Sequence, residues 1–193
     1  MNAPPPGPEI VTERLVLSRL RPADAGAMFA YRSDPVVARF QTWWPTSPDE
    51  VARFVADQQT VVFDSPGAWF QFGLRLRDTG ELAGDAGVHT PASSPDDAEI
   101  GITVAPAWQG RGFATEAVEA LLVHLFEAAG KRRVVASVDP RNSASVALLT
   151  RVGMRRGTFV SRAFEIRGEW VDDLPFELGL QAWKNRPREP SKS

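Results

Sequence analysis

The residues best suited to chemistry lie in one run, Val104-Ala105-Pro106-Ala107-Trp108-Gln109-Gly110-Arg111-Gly112-Phe113-Ala114-Thr115. A strand pattern ends before it and a long helical pattern begins at Phe113. Gly110 and Gly112 let the backbone come close to a ligand. The N–H groups that open a helix have no partner within it. A pyrophosphate set against them would accept several of these bonds and gain from the helix field. The same residues also fit a plain strand-to-helix turn whose glycines serve packing, and local features leave both readings open. No Gly-Lys-Ser/Thr follows, which argues against a triphosphate loop. Thr115 stands where the Gly-x-Gly-x-x-Gly dinucleotide fingerprint has its third glycine.

Other chemistries find little support. The chain has no Cys, so disulfides, thiolate metal sites and cysteine nucleophiles are excluded. Its 2 histidines, His89 and His124, show neither His-x-x-His nor His-Glu-x-x-His spacing, and no metal is expected. No Gly-x-Ser-x-Gly marks a serine hydrolase. His89 closes a strand pattern and is a candidate neighbour of an acceptor, whereas His124 flanks a helix stripe and is expected to be structural. Lys plus Arg is 22 and Asp plus Glu is 24, a net charge of -2, without the basic surplus of a duplex nucleic-acid binder. No apolar run reaches the roughly 18 residues of a membrane span. The first ten residues lack the basic-then-apolar order of a signal peptide. A cytoplasmic location is expected.

These residues need a scaffold, and 193 residues suit one domain. Residues 1–10 and 185–193 are polar and Pro-rich and are expected to be disordered tails around a domain spanning 11–184. Alternation over Leu15 to Leu20 predicts a strand. Pro22 opens a short helix through Arg32, and Ser47-Pro48-Asp49-Glu50 starts another, with Val51, Phe54, Val55 and Val62 on its apolar side. Strands follow at Ala68–Leu76 and Leu82–His89 around an Asp78-Thr79-Gly80 turn. A strand at Glu99–Val104, a helix at Phe113–Ala129 and a strand at Arg132–Val138 form one unit, which implies a parallel pair. A helix over Asn142–Arg151 comes next. Strands over Met154–Phe164 and Pro175–Leu180, joined by a turn region at Gly168–Asp173, end the domain. The fold class is mixed α/β: a mostly antiparallel sheet flanked by helices.

The run at 104–115 resembles the acetyl-CoA pyrophosphate loop of the GNAT acetyltransferase superfamily, Gln/Arg-x-x-Gly-x-Gly/Ala, which Gln109, Gly112 and Ala114 match. Four segments resemble the branch of ribosomal-protein N-terminal acetyltransferases. They are Trp108 to Ala117, Asn142-Ser143-Ala144-Ser145 before Val152-Gly153-Met154, the opening Thr12 to Asp24, and, more loosely, Trp170 to Leu180. The resemblance covers about residues 12–184. Met154 and Ile102 depart from it where relatives usually carry aromatics.

The resemblance implies central parallel strands that splay apart to admit the pantetheine arm of acetyl-CoA. Ile102, Thr103 and Val104 would bond that arm through their backbone. Gln109, Gly110, Arg111, Gly112, Phe113 and Ala114 would hold the pyrophosphate, with Thr115 in the next turn. Asn142 would touch the pantetheine or help place the acceptor. Glu99 is the expected base, with the apolar neighbours Ala98 and Ile100 raising its pKa. A late tyrosine to protonate the thiolate is missing, since the only tyrosine is Tyr31; Ser145 is the candidate beside the sulfur. Trp43, Trp44, His89 and Trp170 are expected around the acceptor, and Glu165, Glu169, Asp172 and Asp173 nearby would attract a cation.

The function implied is transfer of acetyl from acetyl-CoA to a primary amine, on a protein or peptide N-terminus or on a small molecule. One alternative moves another acyl group such as succinyl, with Arg39 or Arg162 meeting its carboxylate. A second is a non-catalytic acyl-CoA-binding or sensing protein. Relatives often form homodimers, and an exposed Trp183 would support one.

Overall fold

Phe70, Phe72 and Leu74 recur at every second position, so one face of a strand carries all three, and all are buried. This strand is central to a nine-stranded sheet in the computed structural model, which describes residues 7–186. The strands are β1 (Ile10–Val11), β2 (Leu15–Arg19), β3 (Trp69–Leu76), β4 (Leu82–His89), β5 (Asp97–Val104), β6 (Arg133–Val138), β7 (Arg155–Arg156), β8 (Val160–Ile166) and β9 (Glu169–Gly179). Their spatial order is β1-β2-β3-β4-β5-β6-β9-β7, with β8 paired to β9 alone. Among these strands only β5 and β6 run parallel.

The helices divide between the two faces of the sheet. On one face α4 (Phe113–Val123) lays Ala117, Val118, Leu121 and Leu122 over Leu17, Phe72, Ala98 and Ile100 to form the main core. On the other, α1 (Ala25–Arg32) and α3 (Pro48–Gln58) close a smaller core of Leu20, Met28, Tyr31, Val51, Val55 and Leu82, with the short α2 (Pro35–Ala38) between them in sequence. Removing a ring such as Phe72 from the main core costs about 3–5 kcal/mol. Ser47 caps α3 by accepting from Glu50 N at 3.3 Å. Two further helices, α5 (Ser143–Arg151) and α6 (Leu180–Lys184), follow β6 and β9. No helix among the described residues is long and apolar enough to cross a membrane.

Several expectations need correction. The helix expected over Phe113–Ala129 changes to a π-helical turn at His124–Ala128, where Ala129 N reaches back five residues to His124 O at 2.9 Å. Val62 lies outside α3 and is exposed. The turn expected at Gly168–Asp173 is the tight pair Arg167-Gly168, both with positive φ, and β9 begins at Glu169. Its start reads as loop in the sequence because this hairpin stands off the main sheet and carries solvent-facing acids. Leu180 opens α6 instead of ending a strand. Helix α2, capped by Asp34 accepting from Val36 N at 2.8 Å, was not foreseen. Ile10 already pairs with Leu17, so the sheet begins inside the expected tail; residues 1–6 and 187–193 of the expected tails lie outside the described residues. Trp183 stacks on Phe126 with centroids 5.1 Å apart, so its ring is packed within the chain.

Candidate active site

Strands β5 and β6 are bonded for three residue pairs only: Asp97 with Arg133, Ala98 with Val134 and Glu99 with Val135. Beyond Glu99 the two strands part. On its other side β5 stays paired with β4 through Val104, so the β5 edge that faces the gap is free from Ile100 onward. The gap opens into a cleft of about 670 Å³, lined by Ile100–Thr103 of β5, Ala136–Val138 of β6, Val118 and Leu121 of α4, and Asn142, Ser145 and Leu149 around α5. The splay that the resemblance implied is present.

At the far end of the gap lies the loop. Gly110 and Gly112 have φ of 73° and 83°, backbone that other residues adopt only with strain. Gly112 is the first half-helical residue of α4, and no side chain caps that end. Helix geometry therefore leaves the N–H groups of the first turn, Phe113 to Thr115, without intrahelical partners. The loop's side chains are turned to other tasks. Gln109 Nε2 donates to Val104 O at 2.8 Å, closing the turn and occupying that carbonyl. Arg111 lies over the Trp108 ring at 4.8 Å, and the Phe113 ring enters the main core. What remains toward the gap is backbone N–H, the donor set that suits a pyrophosphate. The residues present thus fit acetyl-CoA.

One anchor of this loop went unread in the sequence. Arg14 Nη1 donates to Arg111 O at 2.9 Å and its Nε to Glu116 Oε2 at 2.7 Å, while Thr12 Oγ1 and Arg14 N donate to Glu116 Oε1 at 2.6 and 2.8 Å. Burial pulls the Glu116 carboxyl upward, but the bonds from Thr12 and Arg14 outweigh it and hold it below the usual range. This network ties the segment before β2 to the first turn of α4. Glu116 and Arg14 are about a hundred residues apart, so no local pattern reveals the contact.

At the other end of the cleft stands Glu99, across the sheet from His89. His89 Nδ1 is 3.6 Å from Glu99 Oε2, longer than a hydrogen bond, and has no hydrogen-bond partner among the described residues. The His89 ring stacks on Trp69, centroids 5.0 Å apart and nearly parallel. A Cβ added to Gly87 would come within 2.9 Å of the Trp69 ring, so the glycine lets this indole lie over β4. Ala98 and Ile100 point to the opposite face, into the core under α4, and do not surround Glu99 as expected. Alternation along a strand dictates this.

The aromatic wall differs from the expected one. Trp43 lines the cleft, packed on Phe54 at 4.6 Å and donating from Nε1 to Glu50 at 2.7 Å. Trp44 points away, donating to Ser33 O at 3.1 Å with Arg167 over its ring. Trp170 lies on the exposed face of β9 beneath Arg162 and does not line the cleft. The adjoining strand supplies Phe164 and Ile166 instead, and β3 supplies Trp69. The hairpin is fastened by Arg167 Nη2 to Ala38 O at 2.7 Å. Trp69 was missed because it opens a strand, where a large apolar residue reads as ordinary core.

Beneath the acceptor end lies a buried carboxylate, Asp85, which accepts from Tyr31 Oη at 2.6 Å, Arg32 Nε at 3.1 Å, Arg32 Nη2 and Gln71 Nε2. Burial and the neighbouring Asp85 charge push the Tyr31 phenol well above its ordinary range, so Tyr31 is committed here and serves no sulfur. For Arg32, burial favours the neutral form, but Asp85 overrides it and raises the guanidinium pKa. Breaking such a buried pair costs about 3–5 kcal/mol. On the α5 side, Asn142 Oδ1 accepts from Ser145 N at 3.1 Å and caps the helix. Asn142 and Ser145 both line the cleft, as expected. Arg39 and Arg162 do not; they lie over Phe40 and Trp170. His124 is remote, beside Phe63 at 5.4 Å, and burial lowers its pKa. Among the described residues no group of three His, Cys, Asp or Glu is placed to hold a metal.

Comparison with known proteins gives the same picture. The acetyltransferase (GNAT) domain family matches residues 14–155. An uncharacterized N-acetyltransferase of Bacillus subtilis is 31% identical over 149 residues, covering 77% of this chain and 84% of the relative. The ribosomal protein uS5-alanine N-acetyltransferase of Escherichia coli is 26% identical over 184 residues, covering 92% and 94%. Among solved structures, a GNAT-family acetyltransferase from Bacillus anthracis superposes with a TM-score of 0.80 at 24% identity, covering 90% of this chain and 99% of that one.

Proposed function

The chain belongs to the acetyltransferase (GNAT) domain family, and from that membership we propose that it transfers acetyl from acetyl-CoA to a primary amine by direct attack of the amine. The observation that carries this reading is the three-pair contact of β5 and β6, which opens a gap with a free strand edge along one wall and an uncapped helix start at its end.

Acetyl-CoA supplies an acetyl group already activated as a thioester. The first-turn N–H groups of α4 and the loop from Gln109 bind the pyrophosphate. The freed β5 edge at Ile102 aligns the pantetheine arm, and a β5 N–H polarises the acetyl carbonyl. Glu99, on the acceptor side, takes the ammonium proton directly or through water, so that the nitrogen arrives with a free lone pair. Ser145 offers a hydroxyl to the leaving sulfur, and Asn142 holds the start of α5 in place. Proximity within the cleft supplies much of the remaining rate.

Acetyl is favoured over a longer acidic acyl group because Arg32, the arginine that lines the cleft, is already engaged by Asp85. The commitment of Tyr31 to Asp85 is the one observation that favours a non-catalytic acyl-CoA binder. The test is release of free CoA thiol with a panel of primary amines, with the acetylated product identified by mass spectrometry. Thiol release that depends on the amine supports the transferase. Tight acetyl-CoA binding with no turnover on any amine supports the binder.

A further inference from the structure

We propose that the acceptor is a singly charged primary amine borne on an apolar, preferably aromatic, body; this rests on reading the cleft as the amine site of an acetyltransferase. The acceptor end is walled by Phe40, Trp43, Phe54, Trp69, Phe164 and Ile166, a largely apolar lining for the body of a small amine.

Charge sets the other half of the argument. Three ionisable side chains line the cleft: Arg32, Glu99 and Asp139. Arg32 is neutralised by Asp85. Asp139 is held by Arg141, whose Nη2 donates to it at 2.6 Å and whose backbone N donates at 2.9 Å, and these bonds keep its carboxyl below the usual range. Glu99 is therefore the carboxylate left to meet an ammonium. The acids just outside are also engaged. Glu50 accepts from Trp43 and Thr46, Asp172 from Ser161 and Arg162, and Asp173 from Ser137 and Val138.

Several of the ring faces that could hold a cation are already covered. Arg32 lies over Trp43 at 5.5 Å, Arg39 over Phe40 at 5.0 Å, and His89 covers one face of Trp69. A diamine or polyamine would bring a second ammonium into this lining without a partner, and desolvation of that charge would weaken binding. A single ammonium on an apolar body meets Glu99 with one end and the rings with the other.

Phenethylamine and an amidated Phe-Gly-Gly peptide share this chemistry and represent a free amine and a chain N-terminus; putrescine and spermidine are the contrasting cations. Each is titrated by calorimetry into the full chain saturated with CoA. The proposal expects phenethylamine or the peptide to bind at least about tenfold more tightly than either polyamine. The tighter of the two identifies the source of the amine. Trp69→Ala, which removes an exposed ring, should weaken the aromatic amine about tenfold and leave putrescine within about twofold. Polyamine binding as tight as that of phenethylamine overturns the proposal, as does failure of both aromatic amines to bind. Selective binding of phenethylamine without its acetylation upholds the proposal and removes the transferase reading instead.

Discussion

Glu99 sits at the last bonded pair before β5 and β6 part, the place from which the proposed base would reach an amine at the mouth of the gap. Glu99→Gln keeps size and hydrogen bonding but removes the basic oxygen. It should lower kcat/KM about 100-fold near neutral pH and leave acetyl-CoA affinity unchanged. The deficit should shrink as pH rises, because more of the amine is then already neutral; a steady-state pH profile that overlays the parent would remove Glu99 from this role. Ser145→Ala should cost less, on the order of tenfold, since a thiolate is a tolerable leaving group without a full acid. The two effects are separable in one assay with a responsive amine. Residue-level legibility followed the origin of each expectation. Gly110 and Gly112 sit in a local motif, and the backbone freedom they use was readable there; Glu99 was named from the resemblance. Trp44 and Trp170 were assigned to the cleft from the region they occupy, but side-chain direction is set by neighbours distant in sequence, and both point elsewhere.

Elements position these residues, and the start of α4 is the critical one. The Thr12–Arg14–Glu116 network anchors it from the edge of the sheet. Glu116 has a lowered pKa in the folded chain, so its stabilisation is present above the unfolded carboxylate value near about 4.3 and is lost as pH falls through the lower folded value. Glu116→Gln should therefore lower Tm by roughly 2–4 °C at pH 7, equivalent to about 1 kcal/mol in a domain of this size. The difference from the parent should vanish in acid. A melting difference independent of pH would mean that packing, and not charge, is the source. At this scale strand and helix periodicity was legible from Leu15 to Arg151 apart from the short α2 and the end of α3. The terminal hairpin was not, because β8 and the first half of β9 lie outside the main core and their pairing overrides a polar, turn-like composition. The π-helical turn was also hidden, since His124 to Ala128 keeps a helical apolar pattern while its hydrogen bonds lengthen by one residue.

At the scale of the whole molecule, two faces of one sheet do different work. The α4 face holds the main core and offers the first turn of that helix to a pyrophosphate; the opposite face, under α1 and α3, brings Trp43, Trp69 and the Asp85 cluster to the acceptor. The gap between β5 and β6 joins the two faces. Acetyl-CoA at a hundredfold excess over its Kd should raise Tm by about 5–10 °C. The measurement that tests the account most directly is calorimetric titration of acetyl-CoA into the parent and into Gly112→Asp. The substitution sets a carboxylate at the open start of α4, where φ is 83° and a Cβ would lie 3.3 Å from Arg14 Nη2. The account predicts micromolar binding to the parent and none measurable to a variant that still melts cooperatively. Equal affinity for both proteins would contradict the assigned loop and, with it, the path proposed for acetyl transfer.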